Sequence, residues 1–214
     1  MDDQSLVPQP SSSYQPPAKS FSERIMGALR LDRPTFDEVR RDPSAMTQAA
    51  IVIALAGLAS GAGAFFGSNE QSFTIDDRTY TLSGGIVTGV VAGLANVVIS
   101  LIVWVFLSIV YRFVAIRMLG SSEENIQWQE VGRPIAFASA PGLLSFLTPI
   151  PILGPLASFI GGIWAFAAQI VALSETFRIS KWRAFGVVVG SVIVLTVVFG
   201  VLACVCVLVA LAIF

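Results

Sequence analysis

Apolar residues come in long runs along this chain, separated by short polar clusters. The first 47 residues are polar, and charge-free runs then occupy Ala49–Phe66, Gly85–Tyr111, Pro134–Leu173 and Ala184–Phe214. A helix needs about 20 apolar residues to cross a bilayer. Three of the runs therefore predict one crossing each, and the forty-residue run Pro134–Leu173 predicts two. Thr148-Pro149-Ile150-Pro151 divides that run, because proline disfavours helix at the residue before it. The result is a helical hairpin with Pro141, Pro149, Pro151 and Pro155 around its turn. The pattern predicts an all-α polytopic membrane helix bundle with five transmembrane helices, at about 45–66, 87–111, 134–149, 152–173 and 184–213. At about 1.5 Å per residue, Gly85–Tyr111 reaches roughly 40 Å, so it must tilt or project beyond a ~30 Å hydrocarbon core.

The polar segments subdivide. Residues 1–19, with Pro8, Pro10, Pro16 and Pro17 among Ser and Gln, read as a disordered tail. The first apolar run starts too late to be a signal-peptide core. Over 20–42 the pattern changes to two short amphipathic helices. Ser20 and Glu23 have capping-box spacing, and Phe21, Ile25 and Leu29 follow on one face, bordered by Lys19, Arg24 and Arg30. Leu31 to Pro34 ends that helix, and Thr35 with Glu38 starts the next, carrying Phe36 and Val39. Such helices lie at the lipid interface or pack on the ends of the chain's own spans. Asp42-Pro43 then opens the transmembrane unit, 43–214. Between the first two spans, the alternation in Ser72–Leu82 around Asp76-Asp77 predicts a small β-hairpin.

Charge sets the orientation. Of thirteen Lys and Arg, six lie in 1–47, three in 112–133 and three in 174–183, leaving Arg78 alone on the other side. The positive-inside rule then places the N-terminus in the cytosol. A re-entrant dip across Pro134–Leu173 would sort these charges identically.

Composition removes most other classes. The chain is 55% hydrophobic and 13% charged, against about 25% charged in soluble domains, so neither a soluble domain nor a disordered chain fits. A net charge of −1 gives no reason to expect nucleic acid. There is no histidine, which excludes imidazole metal ligation and a histidine-dependent triad. Cys204 and Cys206 stand at i and i+2, about 200° apart on a helix, and cannot form a two-ligand edge. No phosphate-binding loop follows Gly84-Gly85. Trp104, Trp128, Trp164 and Trp182 require no cofactor, and Trp128 and Trp182 sit at polar boundaries where aromatic belts form. Neither a cofactor, a metal nor a catalytic residue is expected.

Within the spans no ionisable residue occurs, although transport and intramembrane catalysis usually keep one at depth. The deepest strongly polar groups are Asn96 and Gln169, suited to interhelical hydrogen bonds or to a polar path. Gly85, Gly89 and Gly93 form a GxxxGxxxG stripe, and Gly57 with Gly61 and Gly186 with Gly190 repeat the spacing. Such faces let helix backbones approach closely, within one bundle or between two copies.

The string Ala136-Phe137-Ala138-Ser139-Ala140-Pro141-Gly142-Leu143-Leu144, followed by Pro149-Ile150-Pro151-Ile152-Leu153-Gly154, resembles the Yip1 domain family of five-span membrane proteins. Trp164, Ala172-Leu173, Ser180-x-x-Arg183-Ala184, Arg33-Pro34-x-Phe36 and Asp42-Pro43 extend the resemblance over roughly residues 30–200. It implies a cytosolic N-terminus and five spans. Eukaryotic members are tied to Rab GTPases and vesicle traffic. Here the family's Gly-Tyr is Ala136-Phe137, and the eukaryotic Asp-Leu-Tyr-Gly-Pro motif is absent. The resemblance therefore points to a prokaryotic member in the cytoplasmic membrane.

The expected function is that of a non-enzymatic membrane scaffold or adaptor whose cytosolic N-terminal segment recruits a protein partner or shapes the bilayer. The alternative is a channel or transporter for a small neutral or apolar solute, using Asn96, Gln169 and the Pro141–Pro155 region.

Overall fold

The computed structural model describes residues 19–66, 71–75, 78–82, 86–120 and 125–213. In chain order they form α1 (Phe21–Leu29), α2 (Arg33–Arg41), α3 (Ala45–Phe66), β1 (Gln71–Ile75), β2 (Arg78–Leu82), α4 (Ile86–Leu119) and α5 (Trp128–Ala138). A 3-10 helix (Ala140–Leu147), α6 (Leu153–Thr176) and α7 (Lys181–Ile213) follow. The strands pair antiparallel, Gln71 opposite Leu82 through Ile75 opposite Arg78. This is the expected hairpin; Asp76 and Asp77 lie outside the described residues.

Three of these helices are long and apolar enough to cross a membrane, over Gly89–Leu119, Leu153–Thr176 and Lys181–Val201. A fourth is obtained by taking α3 together with α2, which it meets at a bend of 118°. The chain is thus a multi-pass helical membrane protein, with three to four candidate spans among the described residues where the sequence predicts five. The expected third span, 134–149, is not one helix. α5 stops at Ala138 because Pro141 has no N–H with which to continue the helical ladder, and the chain tightens into the 3-10 helix. α4 in turn runs past its expected end at 111. Arg112 tolerates this by donating from Nε to the Ile126 carbonyl at 2.6 Å, and Arg117 lies over the Phe113 ring.

Local chemistry fixes the short helices. Ser20 and Glu23 form the predicted capping box, with the Ser20 N–H donating to Glu23 Oε2 at 2.7 Å. α1 ends in a Schellman motif: the Asp32 N–H donates to Gly27 O and the Leu31 N–H to Ala28 O, with Leu31 at φ 58°. α6 also ends at a left-handed residue, Arg178 at φ 51°, with the Ile179 N–H donating to Ser174 O. α2 begins at Arg33, two residues before the expected Thr35, because Pro34 sits comfortably in a first turn that needs no donor there.

The core is built around α5. Eight consecutive residues, Val131–Ala138, are buried, and α1, α2, α3, α4 and α6 all pack against this short helix. Phe21 meets Phe137 edge-on with centroids 6.3 Å apart, and Trp104 donates to the Gly132 carbonyl at 2.8 Å. Ala28, Phe36 and Val39 are buried as well. Of the two placements open to α1 and α2, the structure takes packing against the chain's own helices.

Beyond this polar end the packing thins. Val91, Leu94 and Ile102 on α4, Phe159 and Ile163 on α6, and Ile193 and Phe199 on α7 are all more than half exposed. So much outward apolar surface would be untenable in water and is ordinary in hydrocarbon. What joins α3 to α4 there is backbone proximity. A Cβ on Gly61 would lie 2.9 Å from Gly93 Cα, and one on Gly57 3.1 Å from Val97 Cα. Gly61→Val must therefore part the two helices, at a cost of about 1–3 kcal/mol. A lowered thermal midpoint in detergent checks this, with Gly200→Val, where nothing lies within 4 Å, expected to leave it unchanged.

Candidate functional site

The densest polar chemistry lies where α1, α2, α3 and α5 meet. Arg24 is on the core face of α1 and only 1% exposed. Its Nη2 and Nε donate to Glu38 Oε1 at 2.8 and 3.2 Å, its Nη1 to Gln48 Oε1 at 2.8 Å, and Nη2 also pairs with Asp42. One guanidinium thus ties α1 to α2, to the α2–α3 joint and to α3. Burial alone would lower its pKa; hydrogen bonds to Glu38 and then Asp42 outweigh that and hold it above the usual arginine value. Asp42 is held below its usual value first by the Ser44 hydroxyl and then by Arg24.

Charged pairs continue outward. Lys19 donates to Asp32 at 3.1 Å and to Thr35 at 2.6 Å, and its backbone N–H donates to Glu38 at 3.1 Å. The Thr35 hydroxyl, donating at 2.6 Å, is the main cause of the lowered Asp32 pKa. Arg40 reaches Glu130 on α5 at 3.2 Å, and Arg33 reaches Glu175 on α6 at 3.3 Å. Gly27 makes the α1–α2 crossing possible, since a Cβ there would fall 2.3 Å from Thr35 Oγ1. On the α5 side, Arg133 is 6% exposed and donates from Nε to Gln129 O at 3.1 Å. Among the described residues its Nη1, Arg40 Nε and Glu38 Oε2 are buried without hydrogen-bond partners.

The sequence placed Arg24 at the border of an apolar stripe and so missed this network. The available signal was Gly27 and Ala28 at i+3 and i+4, small residues that mark a face where another helix comes close. The network can fix geometry and present charge. Among the described residues no group of three or more His, Cys, Asp or Glu is placed to hold a metal.

The residues singled out from the sequence fall elsewhere. Asn96 Nδ2 donates to Gly57 O at 3.0 Å, which closes the α3–α4 pair. Gln169 Oε1 accepts from the Tyr111 hydroxyl at 2.6 Å, which joins α6 to α4. Asn96 and Tyr111 are fifteen residues apart on α4, about 22 Å along its axis, so the two amides sit at different depths, each bonded to a neighbouring helix. Gly186 and Gly190 face Met118 and Val114 of α4. Gly89 and Gly93 are buried on α4, and Gly85 lies outside the described residues. Pro141 is buried at the start of the 3-10 helix, Pro149 and Pro151 make the turn, and Pro155 is exposed in the first turn of α6. Gly154 closes that turn: a Cβ there would meet Thr148 O at 2.3 Å.

A family model for the Yip1 domain matches residues 26–203. The chain belongs to the Yip1 domain family. No curated protein and no solved structure matches it. The Yip1 match begins inside α1 and takes in Glu38, Asp42, Gln48 and Arg133, while Arg24 stands two residues ahead of it.

Two outcomes follow for this Yip1 protein. Arg24→Ala leaves carboxylates without their buried partner and should cost about 3 kcal/mol, read as a lower thermal midpoint or earlier denaturant unfolding. Asp32 and Asp42 have lowered pKa values, so what they add to stability is complete above their unfolded values, near 4, and is lost as pH falls through the folded ones. The thermal midpoint should hold from pH 7 to about 5, drop below about pH 4, and drop less steeply in Asp42→Asn.

Proposed function

We propose that this Yip1 protein is a non-enzymatic membrane scaffold or adaptor, with five passes and a cytosolic N-terminus. The observation that supports this reading best is how Lys19 is held. The residue that follows the Pro/Ser-rich 1–18 segment is bound by Glu38, Asp32 and Thr35, and these belong to a layer locked to the spans through Arg24. A segment attached at such a point is presented to a partner from a fixed position on the membrane.

The polar groups found at depth support the same reading. Asn96, Gln169, Tyr111 and Trp104 are all engaged in helix-to-helix hydrogen bonds, which favours an anchor over a solute pathway. Twelve of thirteen basic residues in the polar end and its connections favour the cytosolic orientation. For the third and fourth passes, α5 with the 3-10 helix and then α6 supply the arms. Ser60 on α3 and Ser145 on the 3-10 helix meet at 3.2 Å, so the turn at Thr148–Ile152 lies towards the end of α3 remote from Ala45.

Crosslinking and affinity capture from the native membrane should recover a partner with the full chain and lose it when residues 1–18 are removed. Identical recovery would refute the adaptor role. Removing more is uninformative, because Arg24, Phe36 and Val39 are buried in the fold. For topology, single cysteines at Ile150 and Ser68 should both react with an impermeant reagent from outside the cell. Reaction at Ser68 alone would mean that the hairpin dips and returns.

A further inference from the structure

We propose that a crevice enclosed by α3, α4, the α5–3-10 joint and α6 is a binding site for one hydrocarbon tail of a bilayer lipid. Its volume is about 250 Å³. Gly57 and Ser60 of α3, Val103 and Trp104 of α4, Gly142 of the 3-10 helix and Ala165 of α6 form its walls. Residues 53–60 of α3 lie about 12–22 Å along the axis from Ala45, inside the charge-free run Ala49–Phe66.

The space exists because the wall residues are small and because the chain leaves the α-helix at Ser139. A Cβ on Gly142 would find only Ala56 Cβ, at 4.0 Å, so the crevice is room that a larger side chain would occupy. Its chemistry selects the guest. The Ser60 hydroxyl donates to Ala56 O at 3.0 Å, the Ser139 hydroxyl to Ile135 O at 3.0 Å, and the Trp104 indole to Gly132 O. With those three donors committed to carbonyls and only the Ser100 hydroxyl added to the lining, the wall is mainly apolar, and a polar solute would give up hydration for few hydrogen bonds. An alkyl chain has no hydration to give up on entering.

The source of that chain is set by where the crevice opens. Val103 lines it and is also 53% exposed, next to Ile102 at 63%. The crevice is therefore continuous with the lipid-facing surface of α4, and a tail can slide in sideways from the bilayer. The volume is below that of typical pockets for drug-sized molecules, about 300–1,000 Å³, and suits a segment of one chain, the rest of which stays in the bilayer. The inference rests on the membrane embedding of the bundle and is independent of any adaptor role.

Trp104 reports on the site, because it is only 6% exposed and borders the crevice. The full chain, with Trp128, Trp164 and Trp182 replaced by Phe, is reconstituted into vesicles of phosphatidylcholine carrying dibrominated acyl chains, which quench nearby indoles. Trp104 emission should be quenched. Gly142→Leu, or Ala165→Leu from the opposite wall, should abolish most of that quenching. In a version retaining Trp164 instead, which is 45% exposed, neither substitution should change the quenching. Unquenched Trp104 emission in the otherwise unmodified crevice overturns the proposal, and so does quenching that persists undiminished in both filled variants. Should one filled variant fail to fold, the other and the unfilled protein still decide the matter.

Discussion

The Arg24 guanidinium is the interaction on which the rest of the polar end depends. A charge that is 1% exposed is tolerable when it is paired and its donors are hydrogen-bonded. Glu38, Asp42 and Gln48 supply the acceptors from three different stretches of chain. That requirement fixes the angle between α1 and α2, which in turn demands glycine at position 27 against Thr35. It also holds the 118° bend between α2 and α3, since Asp42 sits in the bend and Gln48 just beyond it. α1 and α2 are consequently part of the folded unit, and a family match that begins inside α1 includes most of this network.

The two ends of the molecule are held together by different physics. Around α5, ion pairs, aromatic edges and buried aliphatic side chains pack as they would in a soluble core. Farther along the spans there is no water to expel, so hydrophobic burial cannot drive association, and contact depends on dispersion at close range. There the bonds between helices are a glycine backbone laid on another, Gly61 against Gly93, and single amides or hydroxyls such as Asn96 on Gly57 O. α7 follows the same division: Ala184, Val187, Val188 and Ser191 are buried, whereas 196–201 are exposed.

Much of this was readable in the chain, for reasons particular to each element. The Ser20–Glu23 box and the Asp42-Pro43 joint work through neighbours in sequence, so they could be found there. The β-hairpin was visible through strict alternation. The joint at Ser139 was not. From Pro134 to Leu147 the chain carries no charge and only two polar residues, Ser139 and Ser145, too few to give a periodicity that shows where α-helix gives way to 3-10 helix. The end of α4 was hidden for the opposite reason: Arg112 looks like a boundary, yet its long side chain reaches the Ile126 carbonyl and lets the helix continue. Arg24 was misplaced because its acceptors lie 14 to 24 residues away, a distance no helical pattern encodes.

The 3-10 segment connects the two regimes. Non-helical backbone is costly at membrane depth unless protein shields it or it borders a cavity. Here both conditions hold. Pro141 removes a donor that would otherwise need a partner, the Ser139 and Ser145 hydroxyls donate to the Ile135 and Gly142 carbonyls, and α3 and α6 cover the flanks. What the tighter helix cannot do is fill the volume an α-helix would have occupied, and Gly142 has no side chain to compensate. The same break that ends the rigid polar layer therefore opens the crevice below it.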